Sequence, residues 1–170
     1  MNIAGGSRTG GLVGYNKFSS VSNCYSTGSV VSSEGIRIGG LVGWSYGGSI
    51  SNCYSTGSVT GNSVGGIIGF GSGGYTVSGL FWNINDFSTD NGIGTGITTM
   101  EMMDAYTFCF AGWDFEEDEN GNDNGTTGGT NGNGTDNWWD MVQDGNHYPV
   151  LSWQNGDTVL VTDLPNECLT

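Results

Sequence analysis

The chain has 170 residues, 33 of them Gly, and only 12% are charged; three Lys or Arg stand against 17 Asp or Glu, a formal net charge of −14. That balance lacks the basic footprint of a nucleic-acid binder. Ala, Leu, Glu and Lys are too scarce for a helix bundle, and two Pro without a three-residue Gly period exclude collagen. Six Trp, seven Tyr and seven Phe argue for packed structure over disorder.

Charge divides the chain. Residues 1–85 hold all three basic residues (Arg8, Lys17, Arg37) and one acid, Glu34; residues 86–170 hold the other 16 acids and no Lys or Arg. No basic and apolar leader follows Met1. No apolar run approaches the ~18 residues of a membrane span. The chain opens inside a repeat, so it reads as a piece of a longer protein.

The first 85 residues are repetitive. Gly-Gly-Leu-Val-Gly at 10–14 returns at 39–43, and Gly-Gly-Ile-Ile-Gly follows at 65–69; each is trailed by an aromatic, Tyr15, Trp44 or Phe70. Ser-Asn-Cys-Tyr-Ser-Thr-Gly-Ser-Val begins at Ser22 and again at Ser51, with a degenerate third copy around Ser78–Trp82. Asn23 and Asn52 align with Gly79, and tolerance of positive φ is what these residues share, so the position reads as a left-handed corner between strands. Cys24 and Cys53 align with Leu80, a slot for a small buried apolar group. Tyr25, Tyr54 and Phe81 keep an aromatic, and Val21, Ile50 and Val77 keep a β-branched residue. Leu12, Leu41 and Ile67 align, as do Val13, Val42 and Ile68. No unit of this size can bury its own apolar face, whereas stacking copies in register forms ladders about 4.8 Å apart. The expected fold is all-β: a short parallel β-solenoid of about three coils over 1–85, a connector with one short helix over 86–112, and a β-rich closing cap over 113–170.

On these motifs the sequence resembles the GLUG-motif family, carried by Gly39–Gly43 and by Asn52–Val59. The resemblance continues through Gly96–Met102, Phe110–Phe115, Trp139–Val142 and Tyr148–Trp153, which look like the segment that closes such arrays. It implies a large secreted or surface-anchored bacterial protein of adhesin-like type. The acidic Asn/Gly stretch at 116–136 is longer than that pattern. No His-Glu-x-x-His is present, so the peptidase activity of some relatives does not carry over.

In the second half, Thr98 and Glu101 fit a capping box for a helix running to about Tyr106. Tyr106, Phe108 and Phe110 then alternate and read as a strand. Trp138–Val142 and Tyr148–Trp153 read as strands around an Asp144-Gly145 turn. Trp113, Trp139, Tyr148 and Trp153 are the expected core of a cap that covers the last coil, and His147 reads as part of that cap. Cys24 and Cys53 read as a buried thiol ladder, and Cys109 and Cys168 as a candidate disulfide of an extracellular protein. Asp114, Glu116, Asp118 and Asn120 supply hard oxygens in the right density for a candidate Ca²⁺ site, although their spacing misses the EF-hand and a solvated loop is the simpler reading. Two Asn-Gly-Thr sequons, at Asn124 and Asn133, carry little weight in so Asn- and Gly-rich a loop.

No catalytic set stands out. Residues 38–85 contain no charged side chain, which argues against a solenoid glycosidase. The expected function is a non-catalytic extracellular or cell-surface structural or adhesive module. Its partners would be a host surface, a glycan or further copies of itself, with no nucleic acid and no membrane insertion. The alternatives are a carbohydrate-binding module using exposed Tyr25, Trp44, Tyr54 or Trp82, and a subunit of an extracellular filament.

Overall fold

The computed structural model describes residues 2–86, 91, 93–113, 139–140 and 148–151. The chain divides into two compact units, Met1–Thr98 and Thr99–Thr170.

The first unit is a parallel β-solenoid. After β1 (Asn2–Ala4), the first coil runs through β2 (Thr9–Gly10), β3 (Val13–Lys17), β4 (Ser20–Ser26) and β5 (Ser29–Val31). The second repeats it as β6 (Ile38–Gly39), β7 (Val42–Tyr46), β8 (Ser49–Ser55) and β9 (Val59–Thr60). The third comprises β10 (Val64–Gly65), β11 (Ile68–Ser72) and β12 (Thr76–Asn83), ending in a short 3-10 turn at Ile84–Asp86. Equivalent strands stack as the sheets β1-β5-β9, β10-β6-β2, β11-β7-β3 and β13-β12-β8-β4. Strand β13 (Thr95–Ile97) joins the last sheet beside β12, carrying the stacked unit past residue 85. Beyond β11, the Asn91 side-chain amide donates to the carbonyls of Ile68 (2.6 Å) and Gly69 (2.9 Å), doing for that stretch of strand what a further coil would do.

Two bends shape each coil. Ser22 pairs with Ser51 and Cys24 with Cys53, but Asn23 and Asn52 are passed over, as is Gly79 between Ser78 and Leu80. These three residues have φ of 51°, 49° and 55°, the left-handed corner that their alignment predicts. The corner lies within a continuous strand rather than between two. The other bend falls at Gly14, Gly43 and Gly69, which the pairing also passes over.

The Gly-Gly-Leu-Val-Gly motif is explained by close approach between coils. A Cβ on Gly43 would lie 2.6 Å from the Arg8 carbonyl carbon and from the Gly14 oxygen, all backbone of the coil below. A Cβ on Gly69 would lie 2.5 Å from the backbone of Arg37 and Ile38, the same contact one coil on. The apolar positions between these glycines point inward. Leu41, Val42, Ile50, Cys53, Ile67 and Ile68 are fully buried in one cluster with Leu80 and Trp82. The middle coil is the most completely buried because it is covered on both sides; its counterpart Leu12 in the first coil is 51% exposed.

The second unit departs from expectation in one element. Helix α1 spans Thr99–Met102 and a second helix, α2, spans Ala105–Cys109, where the aromatic alternation suggested a strand. The Asp104 carboxylate accepts the Tyr106 N–H at 3.1 Å and caps α2, so one helix stops and another begins. Ala105, Phe108 and Cys109 form its buried face at i, i+3 and i+4, leaving Phe110 65% exposed. Phe108 packs on Trp113 (4.7 Å between ring centres), and Trp113 on Trp139 (4.5 Å). Both Trp are buried. The antiparallel pair β14 (Trp139–Asp140) and β15 (Val150–Leu151) matches the expected hairpin strands; Tyr148 is half-buried, and the 144–145 turn, His147 and Trp153 lie outside the described residues.

Candidate functional site

Past the Gly14/Gly43 bend, side chains alternate cleanly. Asn16 and Ser45 turn inward and are buried, with the Asn16 amide donating to the Ser45 hydroxyl at 3.4 Å. Their neighbours Tyr15 and Trp44 turn outward, and Phe70 continues the row in register. The result is an aromatic ladder on the face formed by β3, β7 and β11. Tyr15 and Trp44 stack with centroids 4.5 Å apart and planes 26° from parallel, and Phe70 lies 6.4 Å from Trp44. The Trp44 indole N–H donates to the Ser72 hydroxyl at 3.0 Å, which fixes the ring. Tyr46 meets Trp44 edge-on at 5.9 Å and Phe18 at 5.2 Å, widening the aromatic surface.

Two cations flank this ladder. The Arg8 guanidinium lies 4.5 Å from the Trp44 ring centre and 5.2 Å from that of Tyr15. Arg37 lies 4.5 Å from Trp44 and 5.1 Å from Phe70. Both distances are within cation–π reach. Each arginine sits just before β2 or β6 with left-handed backbone, φ 65° and 67°, and this conformation turns the side chain across the neighbouring face. Such φ values are costly for a residue with a long side chain.

Of the four aromatics expected on an exposed platform, only Trp44 belongs to this ladder. Tyr25 is half-buried and stacks on Tyr54 at 5.1 Å with planes 7° apart. Tyr54, in register between Tyr25 and Phe81, is 1% exposed, and Trp82 is 8% exposed. Trp82 belongs to the core because its ring fills the space that a side chain at Gly66 would need. Tyr54 and Trp82 are therefore core residues and not a sugar platform. Arg8 and Arg37 were missed by the sequence reading. Their signal was the repeat itself: both stand two residues before the Gly-Gly pair, where the third copy has Ser63.

The cysteines fall into two kinds. Cys24 and Cys53 are free and paired in register, with Leu80 in the third slot. Each Sγ lies 3.0 Å from the carbonyl oxygen two residues earlier, Ser22 and Ser51. A hydrogen bond from Cys53 lowers the Cys24 thiol from 9.0 to about 7, against the opposing effect of burial. That contact, with burial, pushes the Cys53 thiol up. Cys109 is disulfide-bonded; Cys168, its expected partner, lies outside the described residues. Asp114, Glu116, Asp118 and Asn120 of the candidate Ca²⁺ site also lie outside them. Among the described residues no three His, Cys, Asp or Glu converge as a metal site.

Stacked in-register coils, inward aliphatic and thiol ladders and an outward aromatic row define a repeat protein of the parallel β-solenoid class. The GLUG motif matches residues 5–31 and 34–60, in its first two coils. A protein of Evansella cellulosilytica named "Putative Gly-rich membrane protein" is 37% identical over 115 residues, 65% of this chain. The chain spans about one tenth of that relative's length. No solved structure matches the chain. No helix among the described residues is long and apolar enough to cross a membrane.

Proposed function

We propose that the chain is a non-catalytic structural and adhesive module of an extracellular or cell-surface repeat protein. The observation that carries this reading is the outward ladder of Tyr15, Trp44 and Phe70, held on a rigid stack and flanked by Arg8 and Arg37. Surface aromatics and arginines are the residue types that dominate recognition. The GLUG repeats and the glycine-rich membrane relative support a surface location.

The test is to raise antibodies to the solenoid unit and label intact cells of the source organism. Labelling without permeabilisation, with loss of cell attachment when the antibody covers the module, is the expected result. Labelling only after permeabilisation would overturn the reading. A carbohydrate-binding role is the second reading, favoured by the exposure of Phe70 (42%) at the end of the ladder.

A further inference from the structure

We propose that the Arg8–Arg37 stack binds an acidic polysaccharide, its uronate carboxylates on the guanidinium edges and a pyranose face on Phe70. This rests on the adhesive reading above and names its ligand.

The two arginines occupy the same place in successive coils, so their backbone positions recur along the axis at about the 4.8 Å ladder spacing. Each lies beside two neighbouring rings of the row: Arg8 beside Tyr15 and Trp44, Arg37 beside Trp44 and Phe70. A guanidinium carries its five donors in plane, in a fork that matches a carboxylate. Neither arginine is ion-paired among the described residues, and Glu34 is the one acid of residues 2–85. Left-handed backbone at both positions is strain held where a side chain is being aimed.

Charge complementarity therefore calls for an anionic occupant, and the third coil narrows the choice. Ser63 replaces the arginine there, so Phe70 meets one arginine where Trp44 meets two, and it is 42% exposed. The occupant needs an anionic edge beside a rigid apolar face. A uronate residue has both, its carboxylate projecting from a ring whose C–H face stacks on an aromatic. An acidic peptide supplies carboxylates but no rigid apolar face next to each one.

Affinity electrophoresis and calorimetry with polygalacturonate, a neutral galactan and poly-glutamate provide the test. The intact chain should bind polygalacturonate, weaken as salt rises, and leave the galactan and poly-glutamate unbound. Arg37→Asn tolerates the left-handed backbone but removes the charge, and Arg8→Asn/Arg37→Asn removes both; the double variant should lose at least tenfold in affinity with its far-UV circular dichroism unchanged. Arg37→Lys keeps the charge without the planar fork and should fall between. Phe70→Ala should weaken binding while leaving the salt dependence in place. Undiminished binding by the double variant, equal binding of the galactan, preference for poly-glutamate, or no binding of polygalacturonate would each overturn the proposal. If the double variant still mediates attachment on labelled cells, the ligand assignment fails and the adhesive reading stands; absence of the module from the surface removes the latter.

Discussion

Gly43→Ala tests the packing that explains the motif. The new methyl would sit 2.6 Å from the Arg8 carbonyl carbon and the Gly14 oxygen and 2.7 Å from the Thr9 nitrogen. Ordinary carbon contacts lie near 3.5–4.0 Å, so the first two coils must part locally by about 1 Å. All three neighbours are backbone and cannot rotate away. The nearest inter-coil hydrogen bonds, Leu12 N–H and Val13 N–H to the Leu41 carbonyl at 2.9 and 3.0 Å, would stretch with them. Overpacking costs about 1–3 kcal/mol, and weakening two hydrogen bonds adds roughly 1 kcal/mol. A total of ~3 kcal/mol lowers the midpoint of a unit of about 100 residues by roughly 12–24 °C, at ~4–8 °C per kcal/mol. Thermal unfolding followed by far-UV circular dichroism measures it. Gly6→Ala is the control, because a Cβ there meets nothing within 4 Å, and its midpoint should stay within a few degrees. A Gly43→Ala midpoint equal to wild type would refute the close-approach account of the motif.

Four further outcomes follow from the same structure. At Asn52, φ 49°, Ala should cost about 1 kcal/mol and Gly almost nothing, since Gly79 fills that corner in the next coil; urea titration distinguishes them. The lowered Cys24 thiol implies that iodoacetamide attacks there first, with a rate that climbs through pH 7 instead of near 9 as thiolate forms, while Cys53 stays protonated. In Cys53→Ala the donor is gone, the thiol rises toward its ordinary value, and alkylation at pH 7 should slow about tenfold by mass spectrometry. Asp104→Ala removes the cap of α2 and should cost the second unit ~1 kcal/mol, read as a lower denaturant midpoint.

The Asn23, Asn52 and Gly79 corner was legible because substitution within a repeat exposes a backbone requirement: only residues that tolerate left-handed φ alternate there. The Cys24, Cys53 and Leu80 slot was legible for the same reason, as a size-limited inward position. The α2 helix was not. Tyr106, Phe108 and Phe110 alternate as a strand would, yet Ala105, Phe108 and Cys109 are the face that packs, and a five-residue segment is too short for its periodicity to decide.

The aromatic face divides in the same way. Sequence alone determined the coil, its repeat length and its inward ladders, because those depend on neighbours one repeat away. It could not say which aromatics face out. Tyr54 and Trp82 look as exposed as Trp44 in the sequence, yet both are buried, and the consecutive residues beside them are buried as well. Only the stacked structure brings Arg8 and Arg37 onto Trp44, since that contact needs both the left-handed turn before β2 and β6 and the register of the next coil.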